Sequence, residues 1–280
     1  IKTDVSGNEL WTKRFGEQLG NMFDHDDGHS VQQTSDGGYI IVGRTNSFSN
    51  DFNVYLIKTD GNGDSTWTKT FGGTSYDDGY SVQQTSDSGY IIAGLGDYHL
   101  IKTDINGNSL WTKTFADGEV KCVQQTADGG YILAGMRYSS TSANGGTDIY
   151  LLKTDGNGNE LWNKSFGGPD DDIGYSVQQT TDGGYIVVGS IEYSNLSYCN
   201  VYLIKTDGNG NELWNKTFGG VINSYGYSAK QTTDGGFIIA GKTRIQRVSS
   251  EDYDVYLIKT DGNGNEIWNK NIGTIYDDVG

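Results

Sequence analysis

The chain has 280 residues, of which 42 are Gly and one is Pro, beside 19 Tyr, 9 Phe and 6 Trp. So many rings exclude a disordered Gly-rich linker, so much Gly excludes a helical bundle, and the lack of Pro and of a three-residue Gly period excludes collagen. A formal net charge of -16 repels phosphate backbones and anionic lipid surfaces, so nucleic-acid and membrane-surface binding are not expected.

What remains is an all-β chain with many tight turns, and its order is that of one repeated unit. Residues 1–16 hold Ile1-Lys2-Thr3-Asp4 and then Trp11, which reads as a lone outer hairpin. Residues 28–73 hold the first full unit, in four strand-like runs. The first run contains Ser30-Val31-Gln32-Gln33-Thr34 and ends at the turn Ser35-Asp36-Gly37-Gly38. The second is Tyr39–Gly43. A connection of variable length leads to the third, Val54–Thr59. The turn Asp60-Gly61-Asn62-Gly63 carries a hairpin signal, and Thr66–Phe71 is the fourth run. The unit recurs at 79–116, 120–168, 174–220 and 226–273.

The second and third runs are almost continuously apolar, as in strands buried on both faces. Four antiparallel strands per ~40–50 residues, with both faces covered, predict the blades of a β-propeller. Five blades are complete and 1–16 is half a blade, which predicts six in all and a single propeller domain over 1–280. The first-and-second-strand pair of the sixth is missing. The chain starts at Ile1 without Met, as a processed or partial product would. The missing strands are therefore expected from further sequence or from a neighbouring molecule, the latter a route to self-association.

The pattern Gly-Tyr-Ser-Val-Gln-Gln-Thr-x-Asp-Gly-Gly-Tyr-Ile-x-x-Gly, followed by Tyr-Leu-Ile-Lys-Thr-Asp-Gly-Asn-Gly-Asn-Glu-Leu-Trp, covers almost the whole chain. It resembles the β-propeller repeats of secreted and cell-surface proteins of bacteria and archaea. Its second half also resembles the tryptophan-docking repeat of quinoprotein-like propellers. That resemblance implies that Trp11, Trp67, Trp111, Trp162, Trp214 and Trp268, all the tryptophans of the chain, bridge adjacent blades and are buried there. It brings no quinone chemistry, because no residues match the quinone and metal ligands of those enzymes.

Candidate sites are sparse. The loops joining second to third strands vary most, and carry Phe48, Phe52, Tyr138, Tyr193, Tyr198 and Tyr253 as a ligand-binding face. Asp27, Asp78, Asp172 and Asp278 precede first strands and are candidates for holding a cation, with calcium as the one cofactor considered. The Asp-Gly-Asn-Gly-Asn turns also resemble the start of a calcium loop but lack its distant Glu, so capped hairpin turns are the favoured reading. The repeated Gln pairs, such as Gln32-Gln33, lie on the innermost strand, where their amides are expected to satisfy one another and channel water.

Asn163, Asn195 and Asn215 begin Asn-x-Ser/Thr tripeptides and are glycosylation candidates. Cys122 and Cys199 lack metal spacing and are expected as free thiols, with a mutual disulfide open. His25, His29 and His99 sit in unrelated contexts and form no Ser-His-Asp or metal pattern, so catalytic residues are not expected. The expected function is a non-enzymatic extracellular module, structural or protein-binding, at a cell surface. A carbohydrate-binding lectin using the loop face is the second reading, and a propeller hydrolase or lyase the third. No apolar run is long enough for a membrane span.

Overall fold

The structure is a computed structural model and describes residues 1–16, 25–47, 51–73, 75–97, 99–115, 118–138, 146–193, 195–247 and 250–273. The described residues contain strands and turns and no helix. They group into two compact units, residues 1–116 and 117–280.

Unit 1 opens with the hairpin β1 (Lys2–Thr3) and β2 (Glu9–Trp11). Its first complete blade is β3 (Asp26–Gln33), β4 (Tyr39–Thr45), β5 (Asn53–Thr59) and β6 (Ser65–Phe71). Its second is β7 (Asp78–Gln84), β8 (Tyr90–Leu95), β9 (Leu100–Thr103) and β10 (Ser109–Lys113). Unit 2 has three blades. They are β11 (Gly118–Gln125) to β14 (Glu160–Phe166) through β12 (Tyr131–Tyr138) and β13 (Thr147–Thr154); β15 (Asp172–Gln179) to β18 (Glu212–Phe218) through β16 (Tyr185–Tyr193) and β17 (Tyr198–Thr206); and β19 (Ser224–Gln231) to β22 (Glu266–Ile272) through β20 (Phe237–Arg247) and β21 (Ser250–Thr260). Each complete sheet is an antiparallel meander in sequence order. The architecture is that of a β-propeller, with five blade positions filled by four strands and the first by a two-stranded hairpin.

Turn chemistry fixes each hairpin. In the turn between third and fourth strands, Asp104 Oδ1 accepts the N–H of Asn106 and of Asn108, while Asn108 Nδ2 donates to Asp104 Oδ2. Gly107 closes it at φ 74°, a conformation that glycine adopts without strain. The turn between first and second strands holds a different device. Thr85 Oγ1 and Gly89 N–H donate to Asp87 Oδ1, and Lys102 Nζ reaches Asp87 from the third strand at 2.8 Å. The lysine of every Lys-Thr-Asp in a complete blade does this: Lys58 to Asp36, Lys153 to Asp128, Lys205 to Asp182 and Lys259 to Asp234, all at 2.8–3.0 Å. Lys58, Lys102, Lys153 and Lys205 are buried, so their charge needs that partner.

The core lies between sheets. In unit 1, Ile40, Val42, Val54 and Leu56 of one blade meet Val82, Tyr90, Ile92 and Ile101 of the next. In unit 2, Ile132, Ala134, Ile149 and Leu151 meet Val177, Tyr185 and Val187, and the following pair of blades repeats the arrangement. Tryptophans seal these contacts. Trp11, Trp67, Trp162 and Trp214 stand 5.8–5.9 Å from the ring that opens the next blade's second strand: Tyr39, Tyr90, Tyr185 and Phe237. Trp67 also lies over Gly107 and Trp162 over Gly210, where a Cβ would come within 2.7 Å of the indole.

Against the expectation of burial, Trp11, Trp67, Trp162 and Trp214 are half-buried rather than enclosed, because each is covered by the neighbouring blade on part of its surface only. Trp268 is 38% exposed. Trp111 is half-buried.

The Gln pairs stitch first strands together. Gln32 Oε1 accepts the backbone N–H of Gln84, and Gln84 Oε1 accepts that of Ser35. Gln124 with Gln179, and Gln178 with Gln231, repeat the exchange in unit 2. The amides therefore satisfy the neighbouring strand's backbone, in place of one another.

Candidate functional site

Every first strand carries the same irregularity. The register with the second strand shifts between Gly28 and Ser30, Gly79 and Ser81, Val120 and Cys122, Gly174 and Ser176, and Gly226 and Ser228. The extra residues are His29, Tyr80, Lys121, Tyr175 and Tyr227. A bulge re-aims its side chain away from the pleat. Here the re-aimed side chains meet from blade to blade. His29 is 5.7 Å from Tyr80 in unit 1, and Tyr175 is 5.2 Å from Tyr227 in unit 2. Among otherwise repeated neighbours this position varies between His, Tyr and Lys, which was the sequence signal for it.

In unit 2 the bulge tyrosines grow into a patch. Tyr225 lies 6.5 Å from Tyr227 with nearly parallel rings, and Tyr253 is 6.3 Å from Tyr225. Lys242 Nζ sits among them, 4.6 Å from the Tyr253 centroid, 5.2 Å from Tyr225 and 5.7 Å from Tyr227. Register explains this, since Lys242 pairs with Tyr225 across β19 and β20. A cation so placed is held by the ring quadrupoles. Burial, with Cys199 next, pushes the Tyr225 phenol up, and Tyr225 hydrogen-bonds the Cys199 thiol. Burial also raises Tyr175 and Tyr227. These three phenols thus stay protonated; all three are half-buried, as is Tyr253. Tyr193 and Tyr198 form a second pair at 5.4 Å, facing each other across β16 and β17.

The expected loop residues therefore divide. Tyr253, Tyr193 and Tyr198 join the aromatic surface of unit 2. Tyr138 is 65% exposed at the end of β12. Phe52 belongs to a separate cluster in unit 1, where the Arg44 guanidinium lies 4.7 Å above its ring and 5.5 Å from Tyr76. Arg44 also binds Asp27 at 2.7 Å and stands 3.5 Å from Asp78. Phe48 lies outside the described residues.

The aspartates considered for a cation do local work. Asp27 is paired with Arg44. Asp78 is buried, and its Oδ1 lies 3.1 Å from His29 Nε2 and makes no hydrogen bond. Asp172 is fully buried and accepts N–H donors from Gly168 and Glu192, tying the segment before its strand to the end of β16. Asp77 makes the same clamp with Gly73 and Asp97. Burial pushes Asp172 up to about 6 against those two donors, with Asp148 and Asp170 adding to the rise. Asp278 lies outside the described residues. Among the described residues no three His, Cys, Asp or Glu side chains converge as metal ligands.

Asn195 is exposed in a turn. Asn163 and Asn215 lie on fourth strands with Nδ2 donating to Glu160 and Glu212 at 2.5 and 2.6 Å. Cys122 and Cys199 are not joined in a disulfide.

Comparison with known proteins shows the fold. No family model and no curated protein matches the chain. A Bacteroides caccae protein of unknown function is similar over 90% of this chain and 83% of its own, with TM-score 0.56 and 13% identity. The WD40 β-propeller domain of Doa1 is similar over 90% of this chain and 85% of its own, with TM-score 0.50 and 14% identity. Among the described residues no helix is long and apolar enough to cross a membrane.

Proposed function

We propose that the chain is a non-enzymatic extracellular module that binds a protein partner at a cell surface through the tyrosine patch of unit 2. The observation that carries this reading is Lys242 held among Tyr225, Tyr227 and Tyr253, with Tyr175 continuing the rings onto the neighbouring blade. Tyrosines offer large contact area at low entropic cost, together with hydroxyl donors, which is the composition of interface anchors. A single ammonium among them favours a partner segment that presents an acidic group beside apolar or aromatic side chains. The rigid sheets beneath, stitched by Gln178 and Gln231, keep the patch preorganised. The surface location rests on the repeat's resemblance and on the exposed Asn195 tripeptide.

A displayed-peptide library and a glycan array, probed with the wild type and with Lys242→Ala and Tyr253→Ala, test this. The expected result is saturable peptide binding that both variants lose, with no glycan signal. A glycan signal lost in both variants would replace the protein partner with a sugar, the lectin reading. Turnover of any arrayed polysaccharide would overturn the non-enzymatic assignment. Antibody labelling of intact cells is expected; labelling only after lysis would remove the surface location.

A further inference from the structure

Asp78 leaves an acceptor unmet at the contact between the two complete blades of unit 1. It opens β7 and is 2% exposed, and its Oδ1 has no hydrogen-bond partner. A buried ionised oxygen without a donor is costly, and native folds supply it with a donor, a water or an ion. The charges around it do not cancel. Arg44 is the cation beside Asp78, but Asp27 has the closer claim on it. Arg44 Nη2 lies 2.7 Å from Asp27 Oδ2, and its Nε donates to the same oxygen at 2.8 Å. Arg44 Nη1 stands 3.5 Å from Asp78 Oδ2. One guanidinium thus faces two carboxylates, and the charge left over rests on Asp78, the buried member of the pair.

The group beside Oδ1 is the imidazole of His29. Its Nε2 lies 3.1 Å away, yet no hydrogen bond joins the two atoms. His29 is the extra residue of the β3 bulge, so its ring leaves the pleat and comes to the start of β7, 5.7 Å from Tyr80. Its side chain is 32% exposed, which leaves one side of the pair open to water. Two lone-pair atoms at this distance, with no hydrogen between them, have the spacing of neighbouring ligands on one metal ion. Zn–N and Zn–O bonds of ~2.0–2.2 Å meeting at ~95–110° set their ligand atoms ~3.0–3.4 Å apart. An imidazole with a carboxylate suits zinc, whereas calcium and magnesium take oxygen ligands.

We propose that His29 Nε2 and Asp78 Oδ1 bind a zinc ion that ties β3 to β7, with water completing the shell on the exposed side of His29. The dication cancels the charge left on Asp78 and gives Oδ1 its partner. Arg44 stays on Oδ2 and steadies the carboxylate. The imidazole proton then sits on Nδ1, and Nε2 offers its lone pair. Two protein ligands hold zinc less tightly than the three or four of dedicated sites, so the purified chain would keep little of it and the site fills from added zinc. The bulge residue is Tyr80, Lys121, Tyr175 or Tyr227 in the other complete blades, so His29 is the one imidazole at that position. Both ligands stand on four-stranded sheets of unit 1, and the tyrosine patch is in unit 2, so the two proposals rest on different residues.

Calorimetric titration of zinc chloride into the full chain, first stripped with EDTA and dialysed, tests this. Saturable binding of one zinc per chain is expected, with a rise in melting temperature. His29→Tyr puts the bulge residue of three other blades at this place, so it should keep the fold. It should weaken zinc binding by more than about ten-fold and remove the thermal shift. Asp78→Asn, where it folds, should weaken binding likewise, and His25→Ala should bind as the wild type does. Long-range ¹H–¹⁵N spectra of the histidines should show zinc moving the Nε2 signal of His29. Calcium chloride at the same concentration should give no binding heat. No saturable zinc binding, or equal binding by His29→Tyr, would overturn the proposal. So would a zinc-induced shift at His25 in place of His29, or calcium binding that competes with zinc.

Discussion

The two complete blades of unit 1 carry nearly the same sequence on their leading faces, and the fates of those faces differ. On the second blade, Val82, Tyr90, Ile92 and Ile101 are 0–6% exposed beneath the first blade and Trp67. On the first blade, Val31 is open, Tyr39 and Ile41 are half-buried, and Ile57 alone is enclosed. Propensity and pattern form the strands in both. Burial comes only from the neighbour. A blade is thus a sheet with two apolar faces and little interior of its own, and its stability is largely an interface term, as in other stacked repeats.

The largest test of that contrast uses the tryptophans. Trp67→Ala and Trp162→Ala each remove an indole wedged between a second-strand tyrosine and a turn glycine, and should lower unfolding free energy by about 3 kcal/mol. Trp268→Ala, at a 38% exposed position, should lose well under half of that. Urea denaturation of the three variants measures the difference, and equal losses would mean that the blade contacts are not where the stability resides.

A smaller and cleaner probe compares equivalent valines. Val82→Ala should cost about 2 kcal/mol, whereas Val31→Ala should stay within about 0.5 kcal/mol.

The blades were legible because the repeat is written six times in its outer half, so a reader needs only the apolar runs, the Asn-Gly turns and the tryptophan spacing. Contact with the next blade was legible for Trp11, Trp67, Trp162 and Trp214, but not their half-exposure, which depends on how much of each indole the neighbouring sheet covers. The lysine–aspartate pairs were missed although both partners repeat. Lys58 and Asp36 are 22 residues apart, and nothing local links a third-strand lysine to a turn two strands earlier. For the candidate site, loop composition pointed to Tyr193, Tyr198 and Tyr253. It passed over Tyr175, Tyr225, Tyr227 and Lys242, because three lie in or beside bulges and a bulge is a property of the pairing rather than of one strand's alternation.

The carboxylates of unit 2 give a pH test with two opposite limbs. Asp172 has a folded value of about 6 against an ordinary 3.8, so the folded chain binds more protons between those values. Its ionisation therefore weakens the fold, and stability should rise as pH falls from about 7 to about 4. Asp128 and Asp182 are also partly buried, but their threonine and lysine partners outweigh that and hold both down to about 2. Their contribution is present above 3.8 and is lost as pH falls toward 2. Urea midpoints against pH should peak near the crossover of the two limbs. Asp172→Asn should flatten the limb above the peak and leave the acid limb in place. A wild-type profile that falls monotonically on acidification would reject the buried-clamp account of Asp172.

The smallest expected effect is that of a chelator. Repeated Asp-x-Asn-x-Asn turns invite comparison with calcium loops, but their oxygens already have donors. In the turn at Asp155, Oδ1 takes two backbone N–H groups and Oδ2 takes the Asn159 amide, all at 2.9 Å. The turns at Asp207 and Asp261 repeat this set. A cation would have to displace these bonds from a carboxylate that the same donors hold below its ordinary value. Asp172 differs, being buried and raised, yet both its oxygens serve backbone amides. EDTA should therefore leave the melting temperature unchanged, and added calcium should shift it no more than the same ionic strength of sodium chloride. A fall with EDTA that calcium reverses and magnesium does not would place a calcium site on these turns. Asp155→Asn would then locate it, because the amide keeps one backbone acceptor but removes the charge a calcium ion requires.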